Sequence, residues 1–297
     1  LFVTNYALAQ LWQSWGIEPT ILCGHSLGEF VAGHLAGVFS LADAIRLIAR
    51  RSQLVSTCPK GSMLSVRRPG VEIKLMLSAD WASTSILPEP GGTLSVAAVN
   101  SHSLCVVAGS DEAIAAFARY LDQKSIPNRV LETSHAFHSA MMDPVVGPFA
   151  ETVQQVQLSR PKKPIVSTVT GTWLTDQQAT DPQYWAAHLR QTVRFADALD
   201  TLLTLRNPLL LEVGPGNSST TLARQQVDPT QKRAMTAVAS LHRPNEQTDY
   251  QALLTALGTV WLQGLTPNWP AFYANRSVQR VPLPTYAFDR KRCWIDP

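Results

Sequence analysis

The stretch that most constrains this chain is residues 20–37, TILCGHSLGEFVAGHLAG. A short apolar run of strand character ends at Cys23, and a helical apolar pattern starts at Glu29, so the backbone must reverse between Gly24 and Gly28. Ser26 stands at the apex, with glycines at G-x-S-x-G spacing. In a strand-turn-helix of this kind the hydroxyl is held out of the backbone, and the next N–H groups point where an oxyanion forms. Ser26 is therefore a candidate nucleophile, and the Leu27 N–H a candidate oxyanion donor. Taken as a mere packing turn, the same stretch leaves His25 and Glu29 without a role.

Composition narrows the class of function. A chain of 297 residues, 45% hydrophobic and 16% charged, can bury one large core or two unequal ones. A net charge of +3 without a long basic run argues against a nucleic-acid partner. The four cysteines, Cys23, Cys58, Cys105 and Cys293, lack metal-ligand spacing. With no secretory signal and no apolar stretch of membrane length, they read as reduced thiols of a cytoplasmic protein. Residues 1–15 are already an amphipathic helix, with one strand between it and the serine turn.

Ser40 is placed to cap a second helix, LADAIRLIARRSQLV, with Asp43 at its third position. At 100° per residue Leu41, Ala44, Ile45, Ile48 and Val55 share one face, and Asp43, Arg46 and Arg50 lie opposite. Arg51 falls on the shoulder beside Ala44 and Leu47, where its stem packs inward and its guanidinium can reach a cavity. From Lys60 onward GSMLSV, EIKLML, TLSVAAVNS, SLCVVAGS, a helix over 111–124 and NRVLETS suggest a small antiparallel sheet with two helices, interrupted by a loop at 87–93.

That region ends in SHAFHSAMMDP, residues 134–144. His135 and His138 lack a third ligand at metal spacing, whereas a serine hydroxyl needs a positioned base to become a nucleophile. Either histidine could serve. Further on, LLLEVGPGNSSTTLARQQ is a strand, a glycine turn and a helix, but no lysine follows at phosphate-loop spacing. Trp173, Trp185 and Phe195 read as aromatics of the core or beneath the tail.

Six segments in this order, GHSLGEF, the arginine of ARRSQLV, AAVNS, SHAFHS, YWAAHLRQTVRF and LLEVGPG, resemble the malonyl-CoA:acyl carrier protein transacylase family, most closely the acyltransferase domains of modular polyketide synthases. The resemblance covers nearly the whole chain. It implies an α/β fold with an α/β-hydrolase-like parallel-sheet core over 1–59 and 134–260, and an inserted ferredoxin-like α+β subdomain over 60–133. Residues 261–297 form the tail, where VPLPTYAFDRKRCWID is similar to the linker that wraps back across such domains. Family members begin with a glycine- and glutamine-containing loop whose glutamine lies near the oxyanion hole; this chain starts after it, so an N-terminal piece is expected to be missing.

Roles carry over residue by residue. Ser26 matches the acylated serine, His138 the general base in preference to His135, and Arg51 the arginine that pairs with the free carboxylate of the extender. His25 and Asn100 match further substrate-binding positions, and the backbone carbonyl that orients the base is expected at His188. In the resembling domains the His-Ala-Phe-His sequence accompanies malonyl selection, so Phe137 is expected to occupy the volume an α-methyl needs. The implied reaction loads malonyl from CoA onto the phosphopantetheine thiol of an acyl carrier protein, without a metal or tightly bound cofactor, beside a ketosynthase and linker of the same polypeptide. The alternatives are an α/β-hydrolase-type thioesterase using Ser26, an aspartate and His242, or a docking module without chemistry.

Overall fold

The computed structural model describes residues 1–79, 94–227, 235–242, 248–274 and 277–295. The chain enters in α1 (Phe2–Ser14) and passes through β1 (Leu22–Cys23) and the serine turn into α2 (Gly28–Leu35). Next comes α3 (Leu41–Ser56), where the Ser40 hydroxyl accepts the Asp43 N–H at 3.1 Å, the cap its sequence implies. The buried stripe of α3 is Ala44, Leu47, Arg51, Leu54 and Val55, so Arg51 lies in its middle rather than on its shoulder. Ile45, expected inside, is half exposed, because the helix turns Leu47 and Leu54 toward the core instead.

The small region holds β2 (Ser62–Val66), α4 (Gly70–Ala79), β3 (Ser95–Ser101), β4 (Leu104–Gly109), α5 (Asp111–Gln123) and β5 (Asn128–Leu131). EIKLML belongs to α4, and the loop expected at 87–93 lies outside the described residues. After a single 3-10 turn (Ala140–Met142) follow α6 (Asp143–Gln154), β6 (Ile165–Val166), α7 (Asp176–Ala179), α8 (Pro182–Ala187), β7 (Val193–Arg194) and α9 (Phe195–Leu203). The chain continues through β8 (Leu209–Glu212), α10 (Ser218–Gln226), β9 (Thr236–Ala239), α11 (Asp249–Leu262) and α12 (Trp269–Tyr273).

The small sheet runs β5-β2-β4-β3 with every neighbour antiparallel, and its fifth strand, β7, joins β3 in parallel with Ala98 opposite Val193. This edge strand comes from well beyond residue 133, so the boundary expected there does not divide the sheet. In the large part β1 pairs parallel with β6, and β8 parallel with β9. Between β1 and β8 lies a cleft of about 1050 Å³, lined by Leu22, Cys23, His25, Leu210 and Glu212 among others. The fold is α/β.

The main core gathers Phe30, Leu47, Phe149 and Trp185, each fully buried, from α2, α3, α6 and α8. Each such side chain contributes roughly 1.5–3 kcal/mol on burial. Phe30 meets Trp185 at 5.2 Å and Phe149 at 6.2 Å between ring centroids, so α2 is clamped directly behind the serine turn. Residues 277–295 form neither helix nor strand, and Val281, Leu283, Tyr286, Phe288 and Trp294 are exposed. Among the described residues no helix is long and apolar enough to cross a membrane.

Candidate active site

The turn after β1 is tight because Gly24 leaves it room: a Cβ there would lie 2.1 Å from the Gly28 carbonyl carbon. Gly28 faces open space, so its lack of a side chain is not what permits the turn. The left-handed backbone falls instead on Ser26, at φ +49°. Such a conformation costs a non-glycine residue about 1–3 kcal/mol and persists where the surroundings over-determine it. Here the Glu29 N–H holds the Ser26 carbonyl at 2.8 Å, and the Gly28 N–H holds that of His25 at 3.0 Å. Leu27 stands at the head of α2, and no acceptor among the described residues takes its N–H.

The partner of Ser26 is His138, itself at φ +57°. Ser26 Oγ lies 2.7 Å from His138 Nε2, and His138 Nδ1 lies 2.9 Å from the Gln191 carbonyl oxygen. A carbonyl can only accept, so Nδ1 carries the proton and Nε2 presents its lone pair to the serine hydroxyl. The orienting carbonyl is thus that of Gln191, not of His188. The turn that follows α8 is closed by the Gln191 N–H bonding to Ala187 at 2.8 Å, and the chain then leaves for β7. It is at that exit that the Gln191 carbonyl reaches the imidazole. Burial, then the neighbouring His188, Arg51 and His25 side chains, hold His138 well below the ordinary histidine range, outweighing the Gln191 carbonyl. The imidazole is therefore a neutral base at neutral pH.

Arg51 is 6% exposed, and among the described residues no carboxylate lies within salt-bridge distance. Its Nε is buried without a hydrogen-bond partner. Burial pushes the guanidinium down to about 10 from 12.5. The Phe137 ring, adjacent in sequence to the base, has its centroid 5.9 Å from Arg51 Cζ. His25 donates from Nε2 to Asn100 Oδ1 at 2.8 Å, which ties the serine turn to β3 of the small sheet, and burial lowers its proton affinity.

Other candidates fall elsewhere. His135 bonds Ser134 Oγ at 2.9 Å, and His242 follows β9, while the serine is held by His138. At the head of α10 the Glu212 carboxylate accepts the Ser219 and Thr220 N–H groups at 3.0 and 2.7 Å, filling the position an anion would take. Trp185 and Phe195 are core, and Trp173 is 39% exposed. Among the described residues no three His, Cys, Asp or Glu side chains could hold a metal ion. Sequence reasoning missed Gln191, whose contribution is a backbone atom, and the partners of Glu29. The one available signal was a carboxylate opening an otherwise apolar helix, EFVAGHLAG.

Residues 1–267 match the family of acyl transferase domains. The chain belongs to this family. It is 36% identical over 299 residues to a phenolphthiocerol/phthiocerol polyketide synthase of Mycobacterium tuberculosis, covering 100% of this chain and 19% of that protein. The acyl transferase domain of ZmaA superposes with a TM-score of 0.83 at 34% identity, over 95% of this chain and 63% of the other. The acyl transferase domain of SpnD, solved in complex with 2-(pent-4-yn-1-yl)malonyl, gives a TM-score of 0.79 at 36% identity, over 90% and 62%. The chain thus spans about a fifth of that synthase and under two thirds of each solved domain. As an acyl transferase domain it has a serine with a neutral imidazole at hydrogen-bond distance, which is what nucleophilic acyl transfer requires.

Proposed function

We propose that this acyl transferase domain moves a carboxylated acyl group, malonyl, from CoA to the phosphopantetheine thiol of an acyl carrier protein. The observation that carries the reading is Arg51, a buried guanidinium without an anion, set beside the Phe137-His138 pair. Burying an unpaired charge costs several kcal/mol, and a ligand carboxylate held bidentately removes that cost. The malonyl-type ligand of the SpnD domain has the same carboxylate.

In the first half-reaction Ser26 Oγ attacks the thioester carbon while its proton passes to His138 Nε2. The tetrahedral oxyanion accepts the Leu27 N–H, and collapse breaks the C–S bond as the proton on Nε2 goes to the CoA sulfur. Arg51 holds the far carboxylate, fixing the reacting carbonyl over the serine. In the second half the carrier thiol gives its proton to Nε2 and attacks the acyl-serine, and collapse breaks the C–O bond as that proton passes from Nε2 to Ser26 Oγ. Thioester is exchanged for thioester, so the protein needs no cofactor of its own. The carrier protein and a ketosynthase of the same synthase are the partners this chemistry calls for.

Incubation of the full-length domain with labelled malonyl-CoA should give a stable acyl-Ser26, lost in Ser26→Ala. Turnover to free malonic acid would establish the hydrolase reading, and labelling at another residue would remove Ser26 from its role. Phe137 sets the α-substituent: malonyl-CoA should beat methylmalonyl-CoA by roughly tenfold to two-hundredfold in kcat/KM, the range a methyl clash produces. Phe137→Ser should narrow that ratio.

A further inference from the structure

Glu29 has no exposed surface, yet the reaction sequence above does not use it. A carboxylate in such a place is costly unless fully partnered. Its partners come from three separate segments. Oε2 accepts the Thr168 N–H at 2.8 Å and faces the Thr168 hydroxyl at 2.6 Å; Oε1 accepts the Tyr184 hydroxyl; and His188 Nε2 lies 3.5 Å from Oε2. Burial alone would raise this carboxyl, but the His188, Thr168 and Tyr184 groups outweigh it and hold it below the ordinary glutamate value.

Each partner leads to one half of the Ser26–His138 pair. The Thr168 hydroxyl is also 3.1 Å from the carbonyl of Gly24, the first residue of the serine turn, and the Thr168 carbonyl accepts the Arg194 N–H of β7. Tyr184 lies in α8, and His188 opens the turn that ends at Gln191, whose carbonyl holds His138. The His188 ring itself stands 6.1 Å from that of His138. Glu29 in turn sits three residues beyond Ser26, its N–H on the serine carbonyl.

We propose that Glu29 is a positioning residue that sets the serine turn and the carbonyl support of the base in register, through Thr168 on one side and through Tyr184 and His188 on the other. The inference rests on the reading of Ser26 and His138 as the reacting pair. Thr168 and His188 reach the same oxygen, so a change at either is transmitted to the other half of the site through one carboxylate.

The test uses the full chain and a small fluorophosphonate, which reports the reactivity of Ser26 without a CoA site. Glu29→Gln should slow phosphonylation tenfold or more, as sub-ångström misplacement of a reacting pair does. It should also broaden the low-field Nδ1–H resonance of His138. Tyr184→Phe, which removes one donor and keeps the ring, should slow the reaction about threefold. Val31→Ala, a cavity on the same helix, should lower the melting temperature and leave both readouts alone. Wild-type rate and resonance in Glu29→Gln would overturn the proposal. So would an unfolded Glu29→Gln with an unchanged rate in Tyr184→Phe, which would make Glu29 a support of the fold alone. An unreactive Ser26 in the wild type would instead bring down the reacting pair itself, and this inference with it.

Discussion

Two buried ionised side chains stand near the Ser26–His138 pair, Glu29 behind the serine turn and Arg51 beside the base, and they are opposites. Glu29 is enclosed by Thr168, Tyr184 and His188, while Arg51, nearly as buried, has an orphaned Nε and no anion among the described residues. A depression from 12.5 to about 10 means the folded chain carries the Arg51 cation at a cost of about 3 kcal/mol. The carboxylate has its complement within the fold, whereas the guanidinium lacks one. A satisfied buried charge fixes geometry; an unsatisfied one marks where a ligand of opposite sign belongs.

The contrast breaks first, and most visibly, on substrate. Arg51→Ala should reduce acylation by malonyl-CoA about 10²–10⁴-fold, the worth of two charge-assisted hydrogen bonds, while acetyl-CoA becomes the better donor. Unchanged malonyl transfer in that variant would show that the carboxylate lies elsewhere.

Stability sharpens the comparison in the opposite direction. Glu29→Leu strands the Thr168 and Tyr184 donors and removes the charge that faces His188, and should cost about 3–5 kcal/mol in urea unfolding. Arg51→Met should be neutral or stabilising by up to about 3 kcal/mol, since it removes an uncompensated charge. Equal losses in the two variants would mean that Arg51 has a partner within the protein.

The smallest expected effect is on pH. His138 acts as the neutral imidazole, and its proton affinity is depressed, so acylation should hold level as pH falls through 6.5 and decline only below it. The Arg51 cation is one of the causes, after burial and His188, so Arg51→Met should move the acid limb back up toward 6.5. A limb moving down, in a pH–rate profile of phosphonylation, would contradict this account.

Much of the site was legible one element at a time. The change of hydrophobic period around residue 24 announced the serine turn, and the helical wheel of 41–55 put Arg51 on the shoulder of the buried face. Even there the detail differed. The left-handed residue is Ser26 rather than a glycine, because Gly24 is needed for close approach and Gly28 for neither purpose. The choice of His138 over His135 came from family resemblance, since spacing alone gives a dyad no direction. His188 was misassigned for a related reason: which carbonyl emerges from a turn depends on where the next strand draws the chain away, and β7 is only two residues long.

What the sequence determined alone was whatever is local: the strand-turn-helix at Ser26, the capped helix carrying Arg51, and the short apolar runs that become β2, β3 and β4. What only the tertiary structure decided was which distant groups meet. Ser26 and His138 are 112 residues apart, and Glu29 and Tyr184 are separated by 155. Hydrophobic periodicity tells a segment which face to bury, but it says nothing about the hydrogen-bonding group that arrives from the other side. For Glu29 the folded chain supplied that group, and for Arg51 it did not.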